Sequence, residues 1–179
     1  MKIGISRHFP VPHNQYTMMG KTKFINWIDW YDHGAAVAIP PHQDITDDWD
    51  VCYYSGLPRT KTTAETLYKK EIHILPELLE VPFCAFPLNI PLPLFAWKVL
   101  ARIGWWLGMK FQTESRKESL NRVKSVISYI LKKHENQRVF LVSHGFFMQY
   151  LNKELHRQGF TGSIPIHPKG GTVYLFDRQ

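Results

Sequence analysis

The segment Arg138-Val139-Phe140-Leu141-Val142-Ser143 is apolar at every position between its polar ends. A strand without polar alternation is buried on both faces, which happens where helices cover both sides of a largely parallel sheet. The rest of the chain follows the same plan. Ser119 to His134 carries Leu120, Val123, Val126, Ile127, Ile130 and Leu131 on one helical stripe, and Phe146 to His156 reads as a second helix. Ile3-Gly4-Ile5 is a short buried strand stopped by Arg7-His8-Phe9-Pro10, and Pro10 and Pro12 force an extended loop after it. Asp50 to Tyr54 reads as another strand, broken by Ser55-Gly56-Leu57-Pro58, and Arg59 to Lys70 has helical spacing at Ala64, Leu67 and Tyr68. Ile72 to Leu75 and Thr172 to Phe176 complete the strands, Phe24 to Tyr31 is an aromatic helix candidate, and Asp44 to Asp50 is turn-like. Strands alternating with helices predict an α/β layer fold.

With 179 residues, 44% of them hydrophobic and 21% charged, the chain has the size of one domain (1–179) with room for an insertion, and enough apolar material to exclude disorder. Its two cysteines, Cys52 and Cys84, form no CxxC pair, which argues against a disulfide framework and a cysteine zinc site. The N-terminus lacks the apolar run of a secretory signal, so a cytoplasmic location is expected. Twenty-two basic against 15 acidic residues give a net charge of +7, which suits nucleic acid, an anionic membrane surface or phosphorylated small molecules.

Residues 82–111 differ from the rest. Pro82, Pro87, Pro91 and Pro93 precede an apolar helix candidate from Leu94 to Met109 that carries Trp97, Trp105 and Trp106. Such a helix is roughly 24 Å long at 1.5 Å per residue. That is short of a bilayer core, and Lys98 and Arg102 interrupt it, so no transmembrane span is expected. An inserted cap over a pocket, a dimer face and an interfacial helix (94–109) are the alternatives.

The candidate chemistry sits where strands end. The first strand ends in Arg7-His8, the second in Ser55 with Arg59 four residues on, and the fourth in Ser143-His144-Gly145. In an open parallel sheet, ligands bind beyond the carboxyl ends of the strands. If these strands are neighbours, two arginines and two histidines meet in one pocket. Arginine's planar fork suits phosphate oxygens. A histidine among arginines is held neutral, which leaves a nitrogen lone pair for attack on phosphorus, and a second histidine can stabilise the charge on the phosphoryl oxygens. The N–H groups of Gly145 and Phe146, opening a helix, would add an anion site.

These residues resemble the histidine phosphatase superfamily, the phosphoglycerate mutase-like group. Arg7-His8 matches its opening Arg-His, and Asn14 stands six residues after His8, as the family's asparagine does. Tyr54-Ser55-Gly56-Leu57-Pro58-Arg59-Thr60-Lys61-Thr62-Thr63-Ala64 is similar to its second motif. Glu114-Ser115 matches the pair before the long helix, Val142-Ser143-His144-Gly145 the last catalytic motif, and Thr172 to Phe176 the closing strand. The resemblance implies a three-layer α/β/α sandwich with a mostly parallel central sheet and a Pro/Trp-rich cap. It also implies metal-independent, cofactor-free phosphomonoester hydrolysis through a phosphohistidine at His8. Arg7, Asn14, Arg59 and His144, with Gly145, would bind the phosphoryl group. Glu80, in Leu78-Leu79-Glu80, falls where the family places its proton donor, shielded by Phe83 and Phe86, with Glu77 as the rival.

The chain departs from the pattern at Phe9, which replaces a glycine and is expected to crowd the pocket or touch substrate, and at Val11, which replaces a threonine. The Gly-Trp that follows the donor glutamate is also missing. These departures favour a phosphatase over a mutase-type phosphotransferase. They leave open a weakly active or non-catalytic member that binds a phosphorylated ligand or a protein partner. The expected partner is a phosphorylated small molecule selected by a cap of apolar character, with no nucleic acid, in a monomer or homodimer. Gly20-Lys21-Thr22 lacks the earlier glycine of a P-loop, and His13, His33, His42 and His73 have no metal-ligand spacing.

Overall fold

A computed structural model describes residues 1–40 and 49–178. His42 and most of the expected turn at Asp44 to Asp50 lie outside these residues. Six strands form one sheet in the order β4-β3-β6-β1-β8-β7. They are β1 (Lys2–Arg7), β3 (Val51–Tyr54), β4 (Ile72–Ile74), β6 (Arg138–Ser143), β7 (Thr161–Gly162) and β8 (Val173–Asp177). β4, β3, β6 and β1 run parallel, whereas β8 and β7 add an antiparallel edge. A separate pair, β2 (Met18–Met19) and β5 (Leu92–Pro93), is antiparallel. Five α-helices are described: α1 (Lys21–His33), α2 (Pro58–Leu67), α3 (Leu94–Trp106), α4 (Arg116–Lys133) and α5 (Gly145–Arg157).

The continuous apolar run of β6 has the cause expected of it, because each face meets a different helix layer. Val139 and Leu141 pack with Ile3, Ile5, Val51 and Tyr53 under α4 and α5, through Val123, Ile127, Phe147 and Leu151. Phe140 and Val142 face the other way, with Cys52, Tyr54 and Trp49, against Ala64 and Leu67 of α2. The sequence is thus read out with period two across the sheet and 3.6 along the helices. On β1 the second face is thin: a Cβ on Gly4 would lie 2.5 Å from the Trp49 ring, so the indole crosses the strand only because glycine stands there. The start of α4 is set by a capping box, in which Glu118 N–H donates to Ser115 Oγ and Ser115 N–H donates to the Glu118 carboxylate.

The Pro-rich segment does contain a helix, but α3 ends at Trp106 rather than Met109. Among the described residues no helix is long and apolar enough to cross a membrane. α3 is anchored in two cores. Leu94 and Trp97 pack with Met19 and Phe24. Trp105, 1% exposed, joins the main core, and its indole N–H donates to Ser119 Oγ at 3.2 Å. Trp106 is 62% exposed. The two adjacent tryptophans therefore do different jobs. Trp105→Ala is expected to cost about 3–5 kcal/mol, the usual cost of emptying a large aromatic site, and Trp106→Ala about 0.5 kcal/mol or less. Urea unfolding of the two variants checks this.

Candidate active site

The register of the parallel strands builds the site. Arg7 lies opposite Ser143, and Tyr54 lies opposite Val142. The next residue on each strand, His8, His144 and Ser55, therefore emerges at one edge of the sheet. The two imidazoles meet with ring centroids 5.2 Å apart, and both residues are buried.

His8 is held from both sides of its peptide. Its N–H donates to Ser143 O at 3.0 Å. The following N–H, of Phe9, donates to Thr63 Oγ1 at 2.8 Å, and Thr63 in turn donates to Arg59 O. Nδ1 lies 2.7 Å from Phe9 O, an acceptor only, so Nδ1 carries the hydrogen and Nε2 keeps its lone pair. Burial first, then the charge of Arg59 and, more weakly, Arg7, push the His8 pKa down to about 3, against the opposing effect of the Phe9 carbonyl. The ring is neutral near pH 7.

His144 belongs to a directed chain. Thr60 Oγ1 donates to Leu57 O and lies 2.9 Å from Ser55 Oγ, and Ser55 Oγ lies 2.8 Å from His144 Nε2. With the Thr60 hydrogen committed, Ser55 donates to Thr60 and His144 Nε2–H donates to Ser55. His144 Nδ1 then faces Arg59 Nη2 at 3.5 Å. Burial, then His8 and the arginines, hold the His144 pKa well below the usual range.

Each arginine is fixed at one end. Arg59 donates to Tyr31 O at 2.8 Å, pairs with Asp32 at 2.9 Å and lies over the Tyr31 ring. Arg7 reaches Pro168 O at 3.3 Å. The Nε of both arginines is buried with no hydrogen-bond partner among the described residues. A Cβ on Gly145 would lie 3.3 Å from Arg7 Nε, so the Arg7 side chain lies close against the start of α5.

Glu80 comes to the same place. Its carboxylate accepts from the N–H groups of Phe146 at 3.1 Å, Phe147 at 2.9 Å and Val81 at 3.0 Å. It caps α5, where a negative group suits the helix terminus. This corrects one expectation: the Phe146 N–H is taken by Glu80 and is not open to an anion. The expected phenyl shield is also replaced. Arg102 stands 4.0 Å from Glu80 and is stacked between Phe83 and Phe146, while Phe86 packs on Phe111. Glu77, the rival, is exposed and does not line the cleft.

Two further expectations are corrected. Asn14 is exposed and outside the cleft lining, with its side-chain oxygen accepting from Tyr16 N–H. Its neighbours His13 and Gln15 line the cleft instead. Phe9 does not crowd the pocket. Its ring is wholly buried among Trp49, Cys52, Tyr54 and Phe140. No non-glycine residue described has a positive φ, so replacing glycine at this position strains nothing. Position 9 contributes its backbone, which any residue supplies.

The cleft has a volume of about 1110 Å³ and reaches from Arg7, His8, Arg59 and His144 out to α1 and α3. On the α1 side Trp27 stacks on Tyr31 with centroids 4.9 Å apart. Lys98 of α3 lies over Trp27 at 5.9 Å, and burial, then Arg7 and Arg102, lower its pKa to about 8. Tyr31, Asp32, Thr60 and Thr63 escaped sequence reasoning as site residues. The two threonines sit inside the second motif without an assigned role, and nothing in the sequence links Tyr31 and Asp32 to Arg59. Among the described residues, no three His, Cys, Asp or Glu side chains are arranged to hold a metal ion.

The sequence pattern of the histidine phosphatase superfamily (branch 1) matches residues 33–178. The chain belongs to this superfamily. None of the curated proteins compared with it matches. Solved structures of the same fold include a putative alpha-ribazole-5'-P phosphatase from Escherichia coli, 16% identical, covering 100% of this chain and 91% of its own, with TM-score 0.64. A phosphoglycerate mutase from Thermus thermophilus is 17% identical over 97% of this chain and 91% of its own, with TM-score 0.58. A phosphoserine phosphatase mutant from Entamoeba histolytica, solved with phosphoserine, is 16% identical over 96% of this chain and 95% of its own, with TM-score 0.56. They share the mixed α/β fold with a mostly parallel sheet. The family match begins after Arg7-His8, whose place in the site rests on the β1–β6 register.

The two depressed histidines link stability to pH. The folded His8 pKa of about 3 lies below its ordinary 6.5, and His144 is shifted the same way. Between these values the unfolded chain binds protons that the folded chain refuses. Their contribution is therefore complete above pH 6.5 and is lost as pH falls, by up to about 1.4 kcal/mol per pH unit for each histidine. Urea midpoints should fall from pH 7 to pH 5 and fall less steeply in His8→Asn/His144→Asn. Equal slopes would contradict the neutral pair.

Proposed function

We propose that the chain hydrolyses phosphomonoesters through a phosphohistidine at His8. The observation that carries this is the neutral His8 ring, its Nδ1–H tied to Phe9 O and its Nε2 lone pair free, beside His144 and in one cleft with the guanidinium groups of Arg7 and Arg59. A strong nucleophile and anion-binding donors share one cleft, which suits transfer of a phosphoryl group.

The phosphoryl group binds to Arg7 and Arg59, while His144, whose one N–H is held by Ser55, presents Nδ1 to Arg59 and positions that guanidinium. His8 Nε2 attacks phosphorus, the P–N bond forms and the P–O bond to the leaving group breaks. Glu80, which lines the cleft, gives a proton to the departing alkoxide when its carboxyl is protonated. Water then attacks phosphorus and gives a proton to the Glu80 carboxylate. The P–N bond breaks, its electron pair returns to Nε2, and phosphate leaves. The charge stabilisation comes from guanidinium groups, so the reaction needs no metal ion.

The test is hydrolysis of p-nitrophenyl phosphate in EDTA, with trapping of an acid-labile phosphoenzyme. His8→Ala is expected to abolish both. A chain that binds phosphate yet forms no phosphoenzyme with any phosphomonoester would be a binding protein on this fold.

The Glu80 role has its own test. Glu80→Gln should lower turnover of an alkyl phosphate by about 10²–10⁴-fold, the usual contribution of a general acid, but turnover of p-nitrophenyl phosphate far less, since nitrophenolate leaves unaided. The cleft's second carboxylate, Asp32, is spent on Arg59, so Asp32→Asn should weaken phosphate binding alike for both substrates. If Asp32→Asn rather than Glu80→Gln shows the leaving-group dependence, the acid is Asp32.

A further inference from the structure

The helix α3 is apolar on two faces. One face, with Leu94, Trp97, Ala101 and Trp105, is buried. The other carries Phe95, Val99, Ile103 and Trp106, which are 46%, 52%, 44% and 62% exposed. Their spacing of four, four and three residues sets them in one row, roughly 16 Å long at 1.5 Å per residue. All four line the cleft that holds His8 and Arg59, and so does Ile166, 80% exposed, from the loop before β8. A row of large apolar side chains kept in water is unfavourable, by about 25 cal/mol per Å², and scattered single residues need no explanation where a continuous row does.

The cations of that wall lie against aromatic rings, and Arg102 Nη2 is buried without a hydrogen-bond partner among the described residues. Arg102 donates to Val81 O at 2.8 Å and Pro82 O at 3.2 Å and is stacked between two phenyl rings. Lys98 rests over Trp27. A volume of about 1110 Å³ exceeds what a phosphate and a small polyol need, ligand clefts running from about 300 to 1,000 Å³. The charged floor and the apolar row are two parts of one cleft. A ligand complementary to both has a phosphate head and a hydrocarbon body.

We infer that the substrate is an amphiphilic phosphomonoester whose alkyl-type chain lies along Phe95, Val99, Ile103 and Trp106 while its phosphate is held by Arg7 and Arg59. This rests on the phosphatase reading above and adds the class of leaving group.

The test separates the two readings by measuring binding without turnover. Calorimetric titration of the protein with n-alkylphosphonates, from ethyl to octyl and below micelle formation, gives Kd against chain length. Each methylene fully removed from water is worth about 0.8 kcal/mol, about fourfold in Kd, so four methylenes give at most about 200-fold. Octylphosphonate is expected to bind at least about tenfold tighter than butylphosphonate, to be displaced by inorganic phosphate, and to bind tighter than 3-phosphoglycerate. Val99→Ser and Ile103→Ser change half-exposed positions, so the fold should survive, as thermal melting will show, and the chain-length gain should shrink. A flat series, tighter binding of 3-phosphoglycerate, octyl binding that phosphate does not displace, or a gain untouched by both variants would overturn the inference. If a phosphoenzyme still forms in any of those cases, the phosphatase reading stands without it. If no phosphonate binds and no phosphoenzyme forms, both fall together.

Discussion

The parallel pairing of β1 with β6 is the constraint on which the site depends. With Arg7 opposite Ser143, the residues that follow, His8 and His144, have nowhere to go but the same edge. A slip of one residue would turn the side chains of β1 to the opposite face. Ile3 and Ile5 would leave the core under α4 and α5, and Gly4, the residue that the Trp49 ring requires, would no longer sit beneath it. The register that pairs the histidines is thus guarded by the packing of both faces of a strand only six residues long.

Once paired, the histidines are kept neutral by the surroundings that make them useful. Removal from water disfavours the imidazolium, and two guanidinium groups disfavour it again. Hydrogen bonding then chooses which nitrogen holds the proton. Phe9 O fixes it on Nδ1 of His8, and the Ser55–Thr60–Leu57 chain fixes it on Nε2 of His144. The polar groups around the site are therefore tied backwards into the fold, by Thr63 to α2 and by Ser143 Oγ to Leu78 O at 2.7 Å. His8, whose Nε2 keeps its lone pair, lines the cleft together with Arg7 and Arg59.

Much of this was legible in the sequence because strand ends carry a simple signal, a buried apolar run stopped by Arg-His, Ser or Ser-His. The span of β6 follows directly from it. The antiparallel edge, β7 with β8, and the small pair β2 with β5 were not legible, since strands of two residues have no period to read. Glu80 lines the cleft and Asn14 does not, for one physical reason. A carboxylate next to a helix N-terminus is bound by backbone donors wherever the loop brings it. A carboxamide in a Pro-flanked loop satisfies its own turn first, as Asn14 does with Tyr16 N–H. Phe9 misled because the side chain was read and only the peptide matters there. Tyr31 and Asp32 were invisible because they reach Arg59 across the packing of α1 against α2, a contact that no spacing encodes.

Glu80 also occupies the place where an anion would meet the helix. A helix N-terminus after a strand is a ready anion site, yet the Phe146 and Phe147 N–H groups of α5 are already bonded to a carboxylate of this chain. The positive end of the helix is spent on holding Glu80 at the cleft, and in the proposed reaction the anion is left to the side chains of Arg7 and Arg59. Each of those is anchored to a backbone carbonyl at one nitrogen, and Arg59 is also held by Asp32. An anion held by such groups meets donors fixed in position by the fold, at little further cost in side-chain entropy. The fold thus uses its backbone dipoles to place a carboxylate and keeps it in one cleft with two arginines.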